Sequence, residues 1–319
     1  MSDLDDNPST FRSYLELLRV PNIFTAVADV AMGALFVEAD LETGGGLVIG
    51  LLIAASSLLY AAGVVLNDVF DVELDREERP ERPLPSDRIS LAAARRLGWS
   101  LLVFGVAAAS GAAAVLHDAR PAIVAAVLAA CIVGYNVGLK RTPLGPFVMG
   151  GCRFLNVLLG MSAVAAAWQS EHWLVAAAIG TYIVGVTRFA RTEALESSRV
   201  TLVTGAMMMV VGMLMLVALP QFSTRIIPLL QLEPQRWQLL IGLLGLLIIW
   251  RCIWALKDPT PERVQYAVRY AIVSIIVLDT AACYAVRGDP TTWPGIGVAW
   301  VVLALLAPAL VVGKWIEST

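Results

Sequence analysis

Ten runs of about 20 mostly apolar residues follow one another along the chain. They lie near 20–38, 46–66, 91–116, 120–138, 146–167, 173–190, 200–219, 237–256, 264–286 and 295–314, and each has the length a helix needs to cross a bilayer. Composition agrees: 58% of residues are hydrophobic and 15% charged, against about 45–50% and 25% in soluble domains. The expected fold is all-α, a polytopic membrane bundle of nine to ten transmembrane helices forming one domain over residues 12–319, preceded by a polar tail at 1–11. That tail is acidic and lacks the basic n-region, short apolar core and small-residue cleavage site of a secretory signal.

Charge placement predicts the orientation. Of the 23 Lys and Arg, 18 fall at the termini or in the connections after the second, fourth, sixth and eighth runs; four fall on the other side, and Arg153 lies inside a run. Positive residues concentrate on the cytoplasmic side of membrane proteins, so that face and both termini are expected to be cytoplasmic. The four cysteines stand singly in apolar runs with no CxxC pair, as inert core thiols do. His117 and His172 sit at run ends, and no zinc site or nucleic-acid partner is expected.

The second run leads straight into NDVFDVELDREERPERPLP, residues 67–85. On a helix continuing at 100° per residue, Asn67, Asp71, Asp75 and Asp68 fall within one quarter of the surface, while Glu73 points almost the opposite way. Such a cluster repels itself unless a positive centre faces it, and an all-oxygen set favours a hard cation such as Mg²⁺, which completes its shell with waters and substrate phosphates. A solvated helix end also tolerates several Asp residues, but it does not account for their one-sided spacing.

The segment NDVFDVELD resembles the N-D-x-x-D-x-x-x-D pattern of the UbiA superfamily of intramembrane prenyltransferases. Two further stretches are similar to that family: RPLPS at Arg82–Ser86, and YNVGLKR at Tyr135–Arg141. The likeness spans almost the whole chain by helix order and loop position. It implies a UbiA-like fold and Mg²⁺-dependent transfer of a prenyl group from a polyprenyl diphosphate to an aromatic or other small acceptor. Asn67, Asp68, Asp71 and Asp75 would bind metal; Asp68, Asp71, Asp75, Tyr135 and Lys140 would be catalytic; Arg82, Lys140 and Arg141 would contact phosphate. Lys140 and Arg141 also suit an ordinary positive anchor at the membrane face, and the two roles are compatible.

The family's second acidic motif, D-x-x-x-D after the sixth helix, is altered. The corresponding stretch TRFARTEALESSRVT, residues 187–201, contains no Asp; Glu193 and Glu196 are the substitute ligands, and Thr192 stands where an Asp would align with Glu196. With GGCRFLNVLLGMS at 150–162, this resembles a divergent bacterial branch, the UbiA-like proteins of ebo-type gene clusters, linked with secondary metabolites. That likeness implies the inner membrane of a bacterium. Such a branch also admits a second function, a non-catalytic protein that binds or moves a prenylated or aromatic metabolite. The intact first motif favours the enzyme. The phosphotransferases that use spaced Asp residues begin D-G, which Asn67–Asp68–Val69 lacks.

Four polar residues interrupt apolar runs. Arg153 and Asn156, three apart, are substrate-binding candidates facing a cavity, or else they satisfy a neighbouring helix. Asp29 and Asp279 each cost about 2.5–3.5 kcal/mol at a helix centre on insertion scales and are expected to face the bundle interior. Asn22, seven residues before Asp29 on the same face, joins the substrate-binding candidates. Asp279 is expected to pair with an Arg or a backbone group.

Overall fold

A computed structural model describes residues 10–37, 39, 44–192, 198–222, 234–287 and 295–315. Among them there is helix and no strand. The helices are α1 (Thr10–Leu18), α2 (Val20–Phe36), α3 (Gly45–Phe70), α4 (Val72–Glu78), α5 (Leu91–Leu116), α6 (Arg120–Val137) and α7 (Gly145–Met161). They continue as α8 (Ser170–Phe189), α9 (Arg199–Val217), α10 (Leu219–Phe222), α11 (Pro234–Lys257), α12 (Pro261–Arg287), α13 (Gly295–Ala304) and α14 (Leu306–Trp315). Short 3-10 turns occupy Leu139–Arg141 and Ala190–Thr192.

Each predicted run coincides with helix, the last one broken at Leu305. Among the described residues, six helices (α3, α5, α6, α9, α11 and most of α12) are long and apolar enough to span a bilayer on their own. The α1–α2 pair, bent by 41°, makes a seventh. The bend falls at Arg19, which adopts φ 44°, ψ 51°. Pro21 at the start of α2 supplies the fixed φ that suits a first helical turn.

Successive helices neighbour one another around the bundle, and α2 occupies its middle, packed against α3, α7, α12 and the α13–α14 pair. Two glycines allow that centre. A Cβ on Gly33 would collide with the Val157 carbonyl, and one on Gly160 with the Val30 carbonyl. Close backbone approach through small residues is how helices pack in lipid, where tails are as apolar as side chains. The approach of α2 and α7 brings the polar residues of both helices together.

A second, smaller apolar cluster lies at one end, where Leu17, Val65, Val69, Val72 and Ala94 enclose Leu84 and Ile89. It matters for the site because it pins the loop between α4 and α5. Leu84, between the two prolines of Arg82-Pro-Leu-Pro, is buried, and Ile89 donates its amide to the Pro83 carbonyl. Arg82 is thereby held against α3 and α4.

His117 ends α5 in the left-handed region, and the His172 side chain accepts from the Gln169 amide at the start of α8. Both close helix ends, as their positions imply.

Candidate functional site

The predicted helix does not run unbroken through the acidic segment. It breaks at Asp71, whose φ of −103° and ψ of 5° end α3 and begin α4. Backbone bonds still step four residues across the break, Asp71 to Asn67 and Asp75 to Asp71, so the expected one-sided arc largely survives. Glu73 lies outside it, 80% exposed in its side chain and paired with Arg76.

Each group of the arc meets a cation. Asp68 accepts from Arg19 at 2.9 Å and has Arg82 at 3.7 Å. Asp75 takes Arg82 on both oxygens, at 3.1 and 3.0 Å. Lys140, on the turn after α6, donates to Asn67 at 3.0 Å and Asp71 at 2.6 Å. Arg141 reaches the other Asp71 oxygen at 3.3 Å, and Arg191 donates to the Arg141 carbonyl at 3.3 Å. Three carboxylates thus share four cations, Arg19, Arg82, Lys140 and Arg141, for a local excess of one positive charge.

Asp68 and Asp75 are buried. Burial pushes the Asp75 carboxyl above its usual range while Arg82 opposes the shift, and burial likewise draws the Arg82 guanidinium down. Both directions follow from the cost of keeping charge out of water. Tyr135 is half-buried on α6, within electrostatic range of Asp71 and Arg191.

Among the described residues, no three His, Cys, Asp or Glu side chains lie close enough together to hold a metal ion. Basic groups stand between the carboxylates instead. Two of those groups mark where oxygens converge. Lys140 Nζ is shared by Asn67 and Asp71, and an Arg82 nitrogen by Asp68 and Asp75. An all-oxygen set converging on a positive centre fits a hard divalent cation once the basic side chains turn to another anion. Glu193 and Glu196 lie outside the described residues.

A second polar cluster lies deeper in the bundle. Arg153 on α7 donates to Asp29 at 2.7 Å and to Thr25 at 2.8 Å, both on α2, and stacks over the Tyr60 ring of α3 at 5.3 Å. Asn156 donates to Asp29 at 3.0 Å and to the Ala26 carbonyl at 2.9 Å, and accepts from Ser56 at 2.7 Å. Asp279 approaches from α12, fully buried beside Asp29 and Arg153. Arg153 and Asn156 therefore satisfy neighbouring helices, the second of the two readings of their sequence. Asp279 joins this Asp–Arg pair rather than forming one of its own. Asn22, partly buried, is tied through its backbone to Arg19 and Thr25.

No site role was read from the sequence for Arg19, Ser56 or Tyr60. Arg19 stood out only through the likeness of Arg19–Val20–Pro21–Asn22 to the family's first-helix entry, and the proline two residues on marks where a bend aims its side chain along a new direction.

The match of this architecture to known proteins is broad. The model of the UbiA prenyltransferase family matches residues 26–276. The digeranylgeranylglyceryl phosphate synthase of Saccharolobus solfataricus is 31% identical over 174 residues, 54% of this chain and 57% of that protein. Its counterpart from Methanopyrus kandleri is 34% identical over 162 residues, 49% and 56% of the two chains. The chain thus spans little more than half the length of these curated relatives. A solved structure of a digeranylgeranylglyceryl phosphate synthase in membranes superposes with a TM-score of 0.62 at 23% identity, over 87% of this chain and 99% of that one. The apo structure of a UbiA homologue from Aeropyrum pernix K1 gives 0.57 at 19%, over 81% and 96%. These likenesses establish a shared fold of polytopic membrane helices, and the family model covers most of the sequence: the chain belongs to the UbiA prenyltransferase family.

Proposed function

We propose that the chain transfers a prenyl group from a polyprenyl diphosphate, entering from the bilayer, to the hydroxyl of a glyceryl phosphate acceptor. The observation that carries the reading is the ring of four cations around three carboxylates at the mouth of an apolar bundle. Two anionic substrates suit an excess of positive charge. An incoming diphosphate would draw Lys140, Arg141, Arg82 and Arg19 onto its oxygens, since Arg and Lys bind phosphate through charge-assisted hydrogen bonds. That exchange would leave Asn67, Asp68, Asp71 and Asp75 to hold Mg²⁺, with Glu193 and Glu196 supplying further oxygens on the strength of their i, i+3 spacing. Mg²⁺ bound there would neutralise charge on the leaving pyrophosphate.

The allylic C1–O bond breaks, and its electron pair leaves on the pyrophosphate. Lys140 and Arg141 hold those oxygens in place, and Tyr135 presents its negative ring face to the carbocation. The acceptor hydroxyl oxygen bonds to C1, and its proton passes to water at the mouth of the site. Arg153 and Asn156 are assigned to positioning α2, α3 and α7 against one another.

The acceptor class rests on the names of the relatives, whose product contains glyceryl phosphate with two geranylgeranyl chains. An aromatic acceptor and a role in secondary metabolism draw no support from them. Both relatives are archaeal, which likewise lends nothing to a bacterial inner membrane. The 18-to-4 distribution of Lys and Arg supports placing the site on the cytoplasmic side.

The test is incubation of the reconstituted protein with Mg²⁺, geranylgeranyl diphosphate and geranylgeranylglyceryl phosphate, or 4-hydroxybenzoate, followed by mass spectrometry. Prenylated glyceryl phosphate is the expected product. A prenylated benzoate would replace the acceptor assignment, and no product with any acceptor or water would favour the non-catalytic binding reading.

A further inference from the structure

At the end of the bundle that carries the acidic nest, the corner between α11 and α12 holds a cation with no anion beside it among the described residues. The corner's level follows from the chain path. Trp237, at the start of α11, donates to the Leu216 carbonyl near the end of α9. Because α9 starts beside the nest, α11 returns to that end at Lys257. Arg251 lies six residues before this helix end, about 9 Å along the axis, and so at the depth where hydrocarbon meets headgroup.

Its guanidinium stacks over the rings of Tyr266 at 5.3 Å and Tyr270 at 5.6 Å. It has no hydrogen-bond acceptor and no carboxylate partner among the described residues. Its neighbour Arg263 is occupied by Asp258 at 3.3 Å. Arg251, Trp254, Ala255, Glu262, Arg263 and Tyr266 line a pocket of about 160 Å³, roomy enough for a phosphate group and too small for a whole lipid. Beside it, Trp250 and Trp254 are 58% and 52% exposed on the outer surface of the bundle. Trp and Tyr collect at the level of the headgroups.

A guanidinium stacked on tyrosine faces keeps its N–H donors at the edge of the ring plane, and at this depth the abundant acceptor is a lipid phosphodiester. Glu262, which also lines the pocket, has no cation partner among the described residues and calls for a donor. We propose that the α11–α12 corner binds the headgroup of one glycerophospholipid. The phosphodiester lies on Arg251, the headgroup's ammonium or hydroxyl lies on Glu262, and the first chain methylenes lie along Trp254 and Trp250. The site is separate from the prenyl diphosphate site and does not depend on the reading of that site.

The experiment is native mass spectrometry of delipidated full-length protein titrated with phosphatidylethanolamine, phosphatidylglycerol or phosphatidylcholine, with inorganic phosphate as a competitor. Wild type is expected to retain one ethanolamine or glycerol lipid in preference to the choline lipid, which has no donor. Arg251→Gln should weaken that binding by about tenfold or more, the scale of a hydrogen bond to a charged group. Glu262→Gln, an exposed change in the first turn of α12 that leaves packing untouched, should keep the phosphodiester contact and erase the preference over choline. Equal retention by wild type and both variants would overturn the proposal. So would displacement by millimolar phosphate alone, which would make this a free-anion site, or a delipidated dimer insensitive to Arg251→Gln, which would make it a face for a second copy.

Discussion

Replacing Arg153 with Met removes the cation that faces Asp29 and Asp279 in the middle of the bundle. The side chain keeps most of its length, so the loss is one of charge and hydrogen bonds more than volume. Three interactions vanish: the 2.7 Å pair with Asp29, the 2.8 Å bond to Thr25 and the contact over Tyr60. Asp29 and Asp279 are each 0% exposed, so water cannot take the place of the guanidinium. Breaking a buried pair from one side costs about 3–5 kcal/mol, because it strands the other charge. Asp29→Asn should cost less: the amide oxygen still accepts a hydrogen bond from Arg153, and the Asp279 carboxyl stays beside it. Combining Arg153→Met with Asp29→Asn should recover most of the loss, since it removes the stranded charge as well. The assay is reversible unfolding in mixed dodecyl maltoside and SDS micelles, followed by tryptophan fluorescence and far-UV circular dichroism. An Arg153→Met variant within about 1 kcal/mol of wild type, or a double variant no better than that single one, would refute the assignment of this cluster to helix positioning.

Lys140→Ala removes the ammonium that joins Asn67 to Asp71. Affinity for a prenyl diphosphate should fall about tenfold or more in calorimetric titrations, with the micellar unfolding curve little changed. Arg19→Gly relieves a left-handed conformation that costs a non-glycine residue about 1–2 kcal/mol, while taking one of the two cations from Asp68. The expected result is near-unchanged stability with weakened diphosphate binding, and a large loss of stability would contradict it. At the far end, hydrogen bonds from Arg120 hold the Asp118 carboxyl below its usual value of 3.8. A depressed acid contributes stability that is present above pH 3.8 and is lost as pH falls through the folded value. Asp118→Asn should therefore flatten the acid limb of a thermal-stability profile below about pH 4, and an unaltered limb would remove that link.

The long apolar runs and the one-sided acidic segment were legible because each is a local pattern: length sets the first, and helical spacing sets the second. Lys140 and Arg82 were legible for the same reason, lying in short motifs that resemble a known family. Continuity of the helix through Asp71 was not, since the break depends on how the loop after α4 folds back and buries Leu84 between α1 and α3. Arg19, noted only within a first-helix stretch like the family's, gave no hint of its partner Asp68, because that pairing comes from a bend and bends are read poorly from apolar periodicity. The partners of Arg153 lay more than a hundred residues away, at Asp29 and Thr25. Their meeting depends on Gly33 and Gly160 letting α2 and α7 touch, which no local spacing reveals. Arg251 read as one more positive charge near a membrane face, and only its stacking on Tyr266 and Tyr270 sets it apart.

On the proposed reading, the nest at Asn67–Asp75, with Lys140 and Arg141, releases pyrophosphate from an allylic diphosphate when Mg²⁺ is present. Single-turnover measurement of pyrophosphate release by the reconstituted protein tests it most directly, using wild type, Asp71→Asn and the Glu193→Gln, Glu196→Gln double variant, each with Mg²⁺ and with chelator. The expected results are Mg²⁺-dependent release by wild type, almost none from Asp71→Asn, and a slower rate with retained diphosphate binding from the double variant. Release that is equally fast from wild type and Asp71→Asn, or unaffected by chelator, would contradict that reading.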